Sequence, residues 1–418
     1  VASRGWTAWR RPFATRRAVL IALAVALVGA LATGLALSGG NEPAAHRAVA
    51  GSRLGAQDPF DIRRPSHLLS AWSADFTTDP TELLVDRSDA FVVTPNEVTD
   101  LATDDGRQRW RADVKDAEPY IAADATTVLV AAGDGFEALD RSTGRSRWRV
   151  GIDDPADIGR AVGLVHVGGE EVAVAMTEFG GVVGLDGATG AVRWSVAVKG
   201  TPRGRIAVDD ATGAVATLTN DADHVALRVF DAGTGAVRWA RTLERDTGVP
   251  TIVGDLLVVG TSRDETNAAI TGLALVDGSE RWRIAAEEGF EATTGPAIHG
   301  STLVFADKLG TLRAIRADSG TVRWTTHLPG PVLADSPAIA HGLVVIHDTF
   351  AQVHTVELRT GRIVATRDSI GVPLGIGAGP DRIVYAQSGV AHGQVMGYAP
   401  AALARPVVRM TGRRAAGK

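Results

Sequence analysis

One short motif recurs along most of this chain, and it limits the fold more than any other feature does. Its best copies read ALDRSTGRSRW at 138–148, GLDGATGAVRW at 184–194 and VFDAGTGAVRW at 229–239. Weaker copies occupy 100–110, 272–282 and 314–324, and a seventh at 355–365 has Ala365 in place of the tryptophan. The tryptophans follow one another at steps of 38, 46, 45, 43 and 42 residues. A period of about 40–45 residues is typical of one four-stranded blade of a β-propeller.

Each conserved letter of the motif has a predicted role in a hairpin between two strands. The aspartate accepts hydrogen bonds from the turn amides, and the glycine takes the left-handed conformation that closes the loop. The tryptophan lies on the outer strand, where its ring fills the gap to the neighbouring blade. An arginine precedes each tryptophan, and it either pairs with carboxylates at the blade edge or lays its stem on apolar surface. The aspartates are Asp140, Asp186 and Asp231, and the glycine–tryptophan pairs are Gly106 and Trp110, Gly144 and Trp148, Gly190 and Trp194, Gly235 and Trp239, Gly278 and Trp282, and Gly320 and Trp324, with Gly361 unaccompanied.

A second series of short apolar, largely β-branched runs gives the number of blades. One run precedes each copy of the motif, and one more follows the last copy. The runs lie at 91–93, 128–130, 172–174, 215–217, 257–259, 303–305, 344–346 and 383–385. Eight runs predict an all-β fold, an eight-bladed β-propeller with four-stranded antiparallel blades. A solenoid is the rival architecture, but its parallel strands would not need a tight hairpin in every repeat.

The two ends of the repeat region differ from the middle. Trp72 lies 38 residues before Trp110 and has a strand around it but no preceding turn. The last blade, near 382–398, has inner strands and lacks a proper motif of its own. We therefore expect the strand at Trp72 to complete the last blade and close the ring. The alternative is that Val407 and Val408 supply that strand.

The motif D-x-x-T-G-x-x-x-W at this period resembles the repeat of the quinoprotein-like (PQQ-like) β-propellers, over roughly residues 70–400. That family includes PQQ-dependent alcohol dehydrogenases, and non-enzymatic scaffolds similar to the outer-membrane assembly lipoprotein BamB. The dehydrogenase branch implies a disulfide between adjacent cysteines and a calcium site. This chain has no cysteine and no recognisable set of calcium ligands. The resemblance therefore implies the non-enzymatic branch.

The N-terminus has the pattern of a membrane segment. Residues 18–37 carry no charge and are long enough to cross a bilayer. Five arginines precede them, which predicts a cytoplasmic N-terminus and an exported C-terminal part. The predicted organisation is a basic cytoplasmic tail (1–17), an anchor or signal segment (18–38), a flexible stalk (39–66), the propeller domain (67–410) and a C-terminal tail (411–418). Either a retained single-pass anchor in the cell membrane or a cleaved signal, giving a secreted protein, places the propeller outside the cytoplasm.

The remaining composition predicts binding and no catalysis. Residues 1–50 hold six Arg and one Glu, a net charge of +5, so the rest carries −10 of the total of −5. An acidic main domain argues against nucleic-acid binding. His341, His347 and His354 have no metal-ligand spacing and are predicted to be scattered in loops and at strand edges, and Asp209-Asp210 is interpreted as a solvated turn. We expect no catalytic residue, cofactor or metal, and a protein or peptide partner at the cell envelope; the alternatives are a small-molecule sensor and, less favoured, a PQQ-dependent dehydrogenase.

Overall fold

The computed structural model describes residues 70–151, 159–179, 181–262, 268–285, 295–332, 337–369, 371–388 and 393–404. Within these residues the strands form eight antiparallel sheets, numbered here as blades I to VIII, and six sheets have four strands. The other two have five, because their inner strand is divided into two short pieces. The prediction of an all-β, eight-bladed propeller is confirmed for the described part of the chain.

The strand bounds follow the chain. The first strand, β1, spans Trp72–Phe76. Blade I consists of β2 (Glu82–Asp86), β3 (Asp89–Thr94), β4 (Glu97–Ala102) and β5 (Gln108–Asp113). Blade II consists of β6 (Ala117–Ala123), β7 (Thr127–Ala132), β8 (Gly135–Asp140) and β9 (Ser146–Gly151). Blade III consists of β10 (Gly159–Val167), β11 (Glu170–Thr177), β12 (Gly181–Asp186) and β13 (Val192–Ala197). Blade IV consists of β14 (Thr201–Pro202), β15 (Ala207–Asp209), β16 (Ala214–Asp221), β17 (His224–Asp231) and β18 (Val237–Leu243).

The second half repeats this pattern. Blade V consists of β19 (Asp246–Thr247), β20 (Thr251–Val253), β21 (Leu256–Ser262), β22 (Ala269–Ala274) and β23 (Glu280–Ala285). Blade VI consists of β24 (Ala297–His299), β25 (Thr302–Ala306), β26 (Thr311–Arg316) and β27 (Val322–His327). Blade VII consists of β28 (Ala338–Ala340), β29 (Leu343–His347), β30 (Gln352–Glu357) and β31 (Ile363–Asp368). Blade VIII consists of β32 (Val372–Ala378), β33 (Ile383–Ser388), β34 (Gly393–Tyr398) and β1, and a short helix α1 (Pro400–Leu403) follows β34.

The strands of each blade are called A to D from the centre of the ring outwards. The inner A strands contact one another from blade to blade, as β2 does with both β6 and β32. The B strands contain the eight predicted runs and are buried almost throughout, because each lies between two neighbouring blades. We call the face with the A–B and C–D turns the lower face, and the face with the B–C turns and D–A links the upper face.

The ring is closed by the N-terminal strand, as predicted. Trp72 is paired with Gly397 and Phe76 with Gly393, in antiparallel register between β1 and β34. The D strand of blade VIII thus comes from the opposite end of the chain. The alternative strand at Val407 and Val408 lies outside the described residues.

The predicted membrane segment, 18–38, also lies outside the described residues, as do the tail before it (1–17) and the whole of the stalk (39–66). Among the residues that the structure describes, no helix is long and apolar enough to span a bilayer. The helix α1, at four residues, was not predicted from the sequence.

Candidate functional site

The motif residues form docks between blades, and each dock joins a tryptophan to the motif turn of the next blade. Gly144 of blade II has φ +68°, and a Cβ at that position would lie 2.5 Å from the ring of Trp110 in blade I. The glycine is therefore required twice, for the left-handed turn and for the close approach of the indole. The indole Nε1 of Trp110 donates a hydrogen bond to the Arg141 carbonyl at 2.7 Å, so the polar end of the buried ring is satisfied.

The same arrangement recurs at seven junctions within the described residues. The tryptophan and the glycine beneath it are Trp72 and Gly106, Trp110 and Gly144, Trp148 and Gly190, Trp194 and Gly235, Trp239 and Gly278, Trp282 and Gly320, and Trp324 and Gly361. Each indole donates to a backbone carbonyl of the next blade at 2.7–2.9 Å. Trp148 and Trp194 are buried as predicted, whereas Trp239 is half-buried.

The two carboxylate oxygens of the motif aspartate accept hydrogen bonds from different groups. In blade II, Asp140 Oδ1 accepts the amides of Ser142 and Thr143 at 3.1 Å, as predicted for a turn. Its Oδ2 accepts Arg147 Nη2 at 2.8 Å, and this bond is the main reason why the pKa of Asp140 lies far below its usual value. Asp186 and Asp231 pair with the arginines of their own motifs in the same way.

Strict strand alternation does not account for the position of that arginine. Trp148 is paired with Ala138 and Ser146 with Leu139, so Arg147 is the extra residue of a β-bulge. A bulge leaves one residue unpaired and bends the strand, which aims the guanidinium at the motif aspartate. The predicted pairing with a carboxylate is confirmed for Arg147, Arg193 and Arg238, and the bulge was not predicted from the sequence.

A polar cavity of about 470 Å³ lies between blades I and II on the lower face. Arg141, which is buried, donates to both Asp89 and Asp86, and its guanidinium also lies 5.3 Å from the centre of the Phe91 ring. Asp100 lines the cavity and is 1% exposed, and its Oδ1 has no hydrogen-bond partner. Burial raises the pKa of Asp100 to about 7, although nearby Arg141 opposes the shift.

Asp100 is paired with the dock tryptophan Trp110 of the neighbouring strand. In the other blades, the residue opposite this outer-strand position is uncharged and smaller than a leucine. Its counterparts opposite the outer-strand position are Ala138, Gly184, Val229, Gly272, Ala314, Thr355 and Gly397. A buried carboxyl is costly unless it is neutral or paired. Its presence in blade I alone marks this cavity as the most unusual polar site among the docks.

Two of the histidines predicted to lie in loops and at strand edges are instead fully buried, and that prediction is wrong for them. His354 Nε2 lies 3.0 Å from Asp348 Oδ2, and its Nδ1 lies 3.0 Å from Thr366 Oγ1. His347 lies edge-on to the Tyr385 ring of blade VIII, with centroids 5.9 Å apart. His341 is exposed, and its Nε2 lies 2.8 Å from the Pro380 carbonyl oxygen.

An exposed apolar surface lies on the upper face of blades VI to VIII. It consists of Leu309, Phe350 and Val372, which are 57%, 67% and 61% exposed, and we call it the apolar rim. Leu309 and Phe350 come from adjacent B–C turns, and both turns lie against Gly330. Two large apolar side chains on neighbouring turns, with a third at the start of β32, are the kind of exposed surface by which proteins bind one another.

Sequence profiles relate the chain to one family over nearly the whole propeller. The profile described as outer membrane protein assembly factor BamB matches residues 69–284 and 266–402. A relative from Yersinia pestis, outer membrane protein assembly factor BamB, is 23% identical over 154 residues, which are 33% of this chain. That alignment spans only 38% of the length of the relative.

Solved structures agree on the fold. The crystal structure of BamB from Moraxella catarrhalis matches with a TM-score of 0.61 at 18% identity, over 79% of this chain and 96% of that one. Europium-containing methanol dehydrogenase matches with a TM-score of 0.57 at 13% identity, over 78% and 85% of the two chains. At such identities these likenesses show the fold alone. Because the profile covers well over half of the sequence, the chain belongs to the PQQ-like β-propeller family described as outer membrane protein assembly factor BamB.

Proposed function

We propose that this protein is a non-catalytic scaffold that binds another protein at the cell envelope. The observation that carries the proposal is the family profile, which extends from residue 69 to residue 402 and so covers every blade. The relatives from Yersinia pestis and Moraxella catarrhalis bear the name of an outer-membrane assembly factor. A role in the assembly of envelope proteins is the most specific function that this likeness supports.

The location belongs to the same proposal. The uncharged segment at 18–37, with five arginines before it, supports a single-pass anchor with a cytoplasmic N-terminus and the propeller outside. A cleaved export signal is the alternative, and it leaves the propeller on the same side. A reporter enzyme that is active only outside the cytoplasm should be active when it is fused after residue 60. Activity of a cytoplasmic reporter fused at the same point would contradict this topology.

The apolar rim is the surface that we assign to the partner. Rigid frames place binding residues on loops, and these three side chains lie on a B–C turn or at the start of an inner strand, above a buried core. Their exposure costs free energy in water, which an apolar segment of a partner would recover on docking. A partner that presents an apolar stretch with a polar surround therefore fits this face.

Site-specific photo-crosslinking tests the assignment. A photoreactive residue in place of Phe350 should yield one discrete crosslinked product in native cells, and Phe350→Ser should weaken binding of the identified partner at least tenfold. Phe179 is the matched control, because it is 62% exposed on a turn of the same face in distant blade III. Equal crosslinking from Phe179 and Phe350, or unchanged binding by Phe350→Ser, would remove the apolar rim from the proposal.

Binding of a small polar molecule is a second candidate function, favoured by the cavity that contains Asp100. The cavity offers three guanidinium groups, Arg109, Arg141 and Arg147, together with a buried carboxyl. A screen of sugars and organic acids by thermal shift would test it. The expected signature is a shift that Asp100→Ala abolishes, and a screen without any such shift would leave the scaffold as the sole proposal.

A further inference from the structure

Three side chains that can bind a metal converge where the lower faces of blades II and III meet. Asp124 follows β6 of blade II, whereas His166 lies in β10 and Glu171 in β11 of blade III. One ligand atom from each lies within 4.8 Å of the other two. More than 40 residues separate Asp124 from the other two in the sequence, so the spacing gives no sign of the cluster, and the expectation of no metal followed from that.

The distances in the cluster suit a shared ion better than direct hydrogen bonds. Asp124 Oδ2 lies 3.4 Å from His166 Nε2, which is longer than the usual N–H···O distance of about 2.9–3.0 Å. Two ligand atoms that are each about 2.0–2.2 Å from a tetrahedral zinc ion lie roughly 3.2–3.6 Å apart. Asp124 Oδ2 is buried with no hydrogen bond of normal geometry, and a carboxylate oxygen of Glu171 lies within 4.8 Å of the Asp124 carboxylate. Two neighbouring acceptors need either a shared proton or a cation between them.

Surrounding groups hold each of the three side chains in position. Asp210 of blade IV accepts the His166 backbone N–H at 2.8 Å, and its Oδ2 lies 3.5 Å from the ring Nδ1. The backbone N–H groups of Thr126 and Thr127 donate to Asp124 Oδ1 at 2.7 Å. The Thr127 hydroxyl donates to Glu171 Oε2 at 2.9 Å. A carboxylate behind the histidine and donors behind each ligating carboxylate form the outer shell that metal sites usually have.

We propose that Asp124, His166 and Glu171 bind one zinc ion. An imidazole nitrogen with two carboxylate oxygens suits Zn²⁺, whereas Ca²⁺ and Mg²⁺ prefer sites made of oxygen alone. The His166 side chain is 39% exposed, so the fourth position is open to solvent and takes water or a ligand atom from a bound molecule. The ion joins blade II to blade III, and through Asp210 it also engages blade IV.

Zinc binding to the protein tests the proposal without reference to the partner. After treatment with a chelator, the protein should bind one equivalent of Zn²⁺ in calorimetric titration, in preference to Ca²⁺ and Mg²⁺. His166→Ala and Asp124→Asn should each weaken binding at least tenfold, and Asp210→Asn, which alters the outer shell, by about tenfold. Zn²⁺ should also raise the melting temperature of the unaltered protein, because an ion that binds the native state stabilises it.

His299→Ala is the matched control, because His299 is exposed on the inner strand of blade VI and is not one of the three ligands. It should bind zinc as the unaltered protein does. If His166→Ala lost its fold, the Co²⁺ derivative of the unaltered protein would still decide the question, since its absorption spectrum reports nitrogen and oxygen ligands. Equal zinc affinity in His166→Ala and His299→Ala, no stoichiometric binding, or tighter binding of Ca²⁺ would each overturn the proposal.

Discussion

Seven junctions between described blades are tryptophan docks, and the eighth, between blades VII and VIII, is not. At each of the seven, an indole of one blade lies on the motif glycine of the next and donates to a backbone carbonyl there. At the eighth, Ala365 occupies the tryptophan position of blade VII. Blade VIII has no C–D turn to receive an indole, because its D strand is β1 from the other end of the chain.

The eighth junction is filled in a different way. Leu403 of α1 is 1% exposed and belongs to one buried cluster with Tyr398, Tyr385 and Ala340. Tyr385 also meets His347 of blade VII edge-on. Apolar packing from a helix and two tyrosines thus replaces the indole and its hydrogen bond. The difference teaches that a dock needs two partners on successive blades, and that closing the ring with the N-terminus removes one of them.

Removal of β1 should have the largest effect, because it leaves the strand edge of β34 unpaired and removes the Trp72 dock as well. A chain that begins at residue 67 should melt cooperatively, whereas one that begins at residue 81 should not. Thermal denaturation followed by circular dichroism distinguishes the two. A cooperative melt of the shorter chain would contradict closure by β1, and loss of folding on truncation after residue 404, which keeps the buried Leu403 and removes Val407 and Val408, would favour the opposite end.

The sequence predicted the junctions between blades better than it predicted the polar sites. The docks form a series in which each indole packs on the motif glycine of the next blade. The series begins at Trp72, which has no motif turn before it, and ends at Gly361, which has no tryptophan after it. The period gave the blade count for the same reason. It did not give the partner of each tryptophan, because the motif places glycine and tryptophan in one repeat while the contact joins two.

The polar sites could not be predicted from the sequence, because tertiary packing forms them. Asp124 lies in a turn of blade II and His166 in β10 of blade III, and only the packing of one blade on the other brings them together. The burial of His354 beside Asp348 likewise depends on tertiary packing and has no local spacing signal. Asp100 did carry a signal, since a carboxylate stands where the aligned motifs have small, uncharged residues, but its meaning needed the pairing with Trp110.

Loss of a dock tryptophan should be the next largest effect. Trp148→Ala removes a buried ring and its hydrogen bond to the Gly187 carbonyl, and it should lower the free energy of unfolding by about 3–5 kcal/mol. Ala365→Gly, at the same strand position of the junction without a dock, should cost roughly 0.5–1 kcal/mol. Urea denaturation of both variants measures the difference, and a cost below about 1 kcal/mol for Trp148→Ala would mean that the docks do not hold the blades together.

A smaller effect separates the two reasons for glycine in the motif, which are the left-handed backbone and the close approach of the indole. Gly190→Ala forces a Cβ to within 2.8 Å of the Trp148 ring, in addition to the strain of φ +73°. Gly342 has nearly the same φ, +74°, with no atom within 4 Å of the added Cβ. Gly342→Ala should therefore cost about 1 kcal/mol from the backbone alone, and Gly190→Ala about 1–3 kcal/mol more from crowding. Equal urea midpoints would show that the ring yields freely and that only φ selects glycine.

The smallest expected effect is electrostatic and concerns the one dock whose tryptophan is paired with a carboxyl. Burial raises the pKa of Asp100 to about 7, so the native state holds this proton more tightly than the unfolded chain, where an aspartate titrates near pH 4. Between these values the unfolded chain loses its proton first, and the stability of the unaltered protein should fall as the pH rises from about 4 to 7.

Asp100→Asn cannot ionise, so it should lack this pH-dependent loss of stability and should be the more stable protein at pH 8. The gain should be about 1–2 kcal/mol, less than the full linkage value, because the amide remains buried and Arg141 loses a nearby negative charge. Urea denaturation at pH 5 and pH 8 measures it, with Asp105→Asn, on the exposed turn of the same motif, as the matched control. An Asp100→Asn variant whose advantage is the same at both pH values would show that the Asp100 carboxyl does not retain its proton in the folded protein.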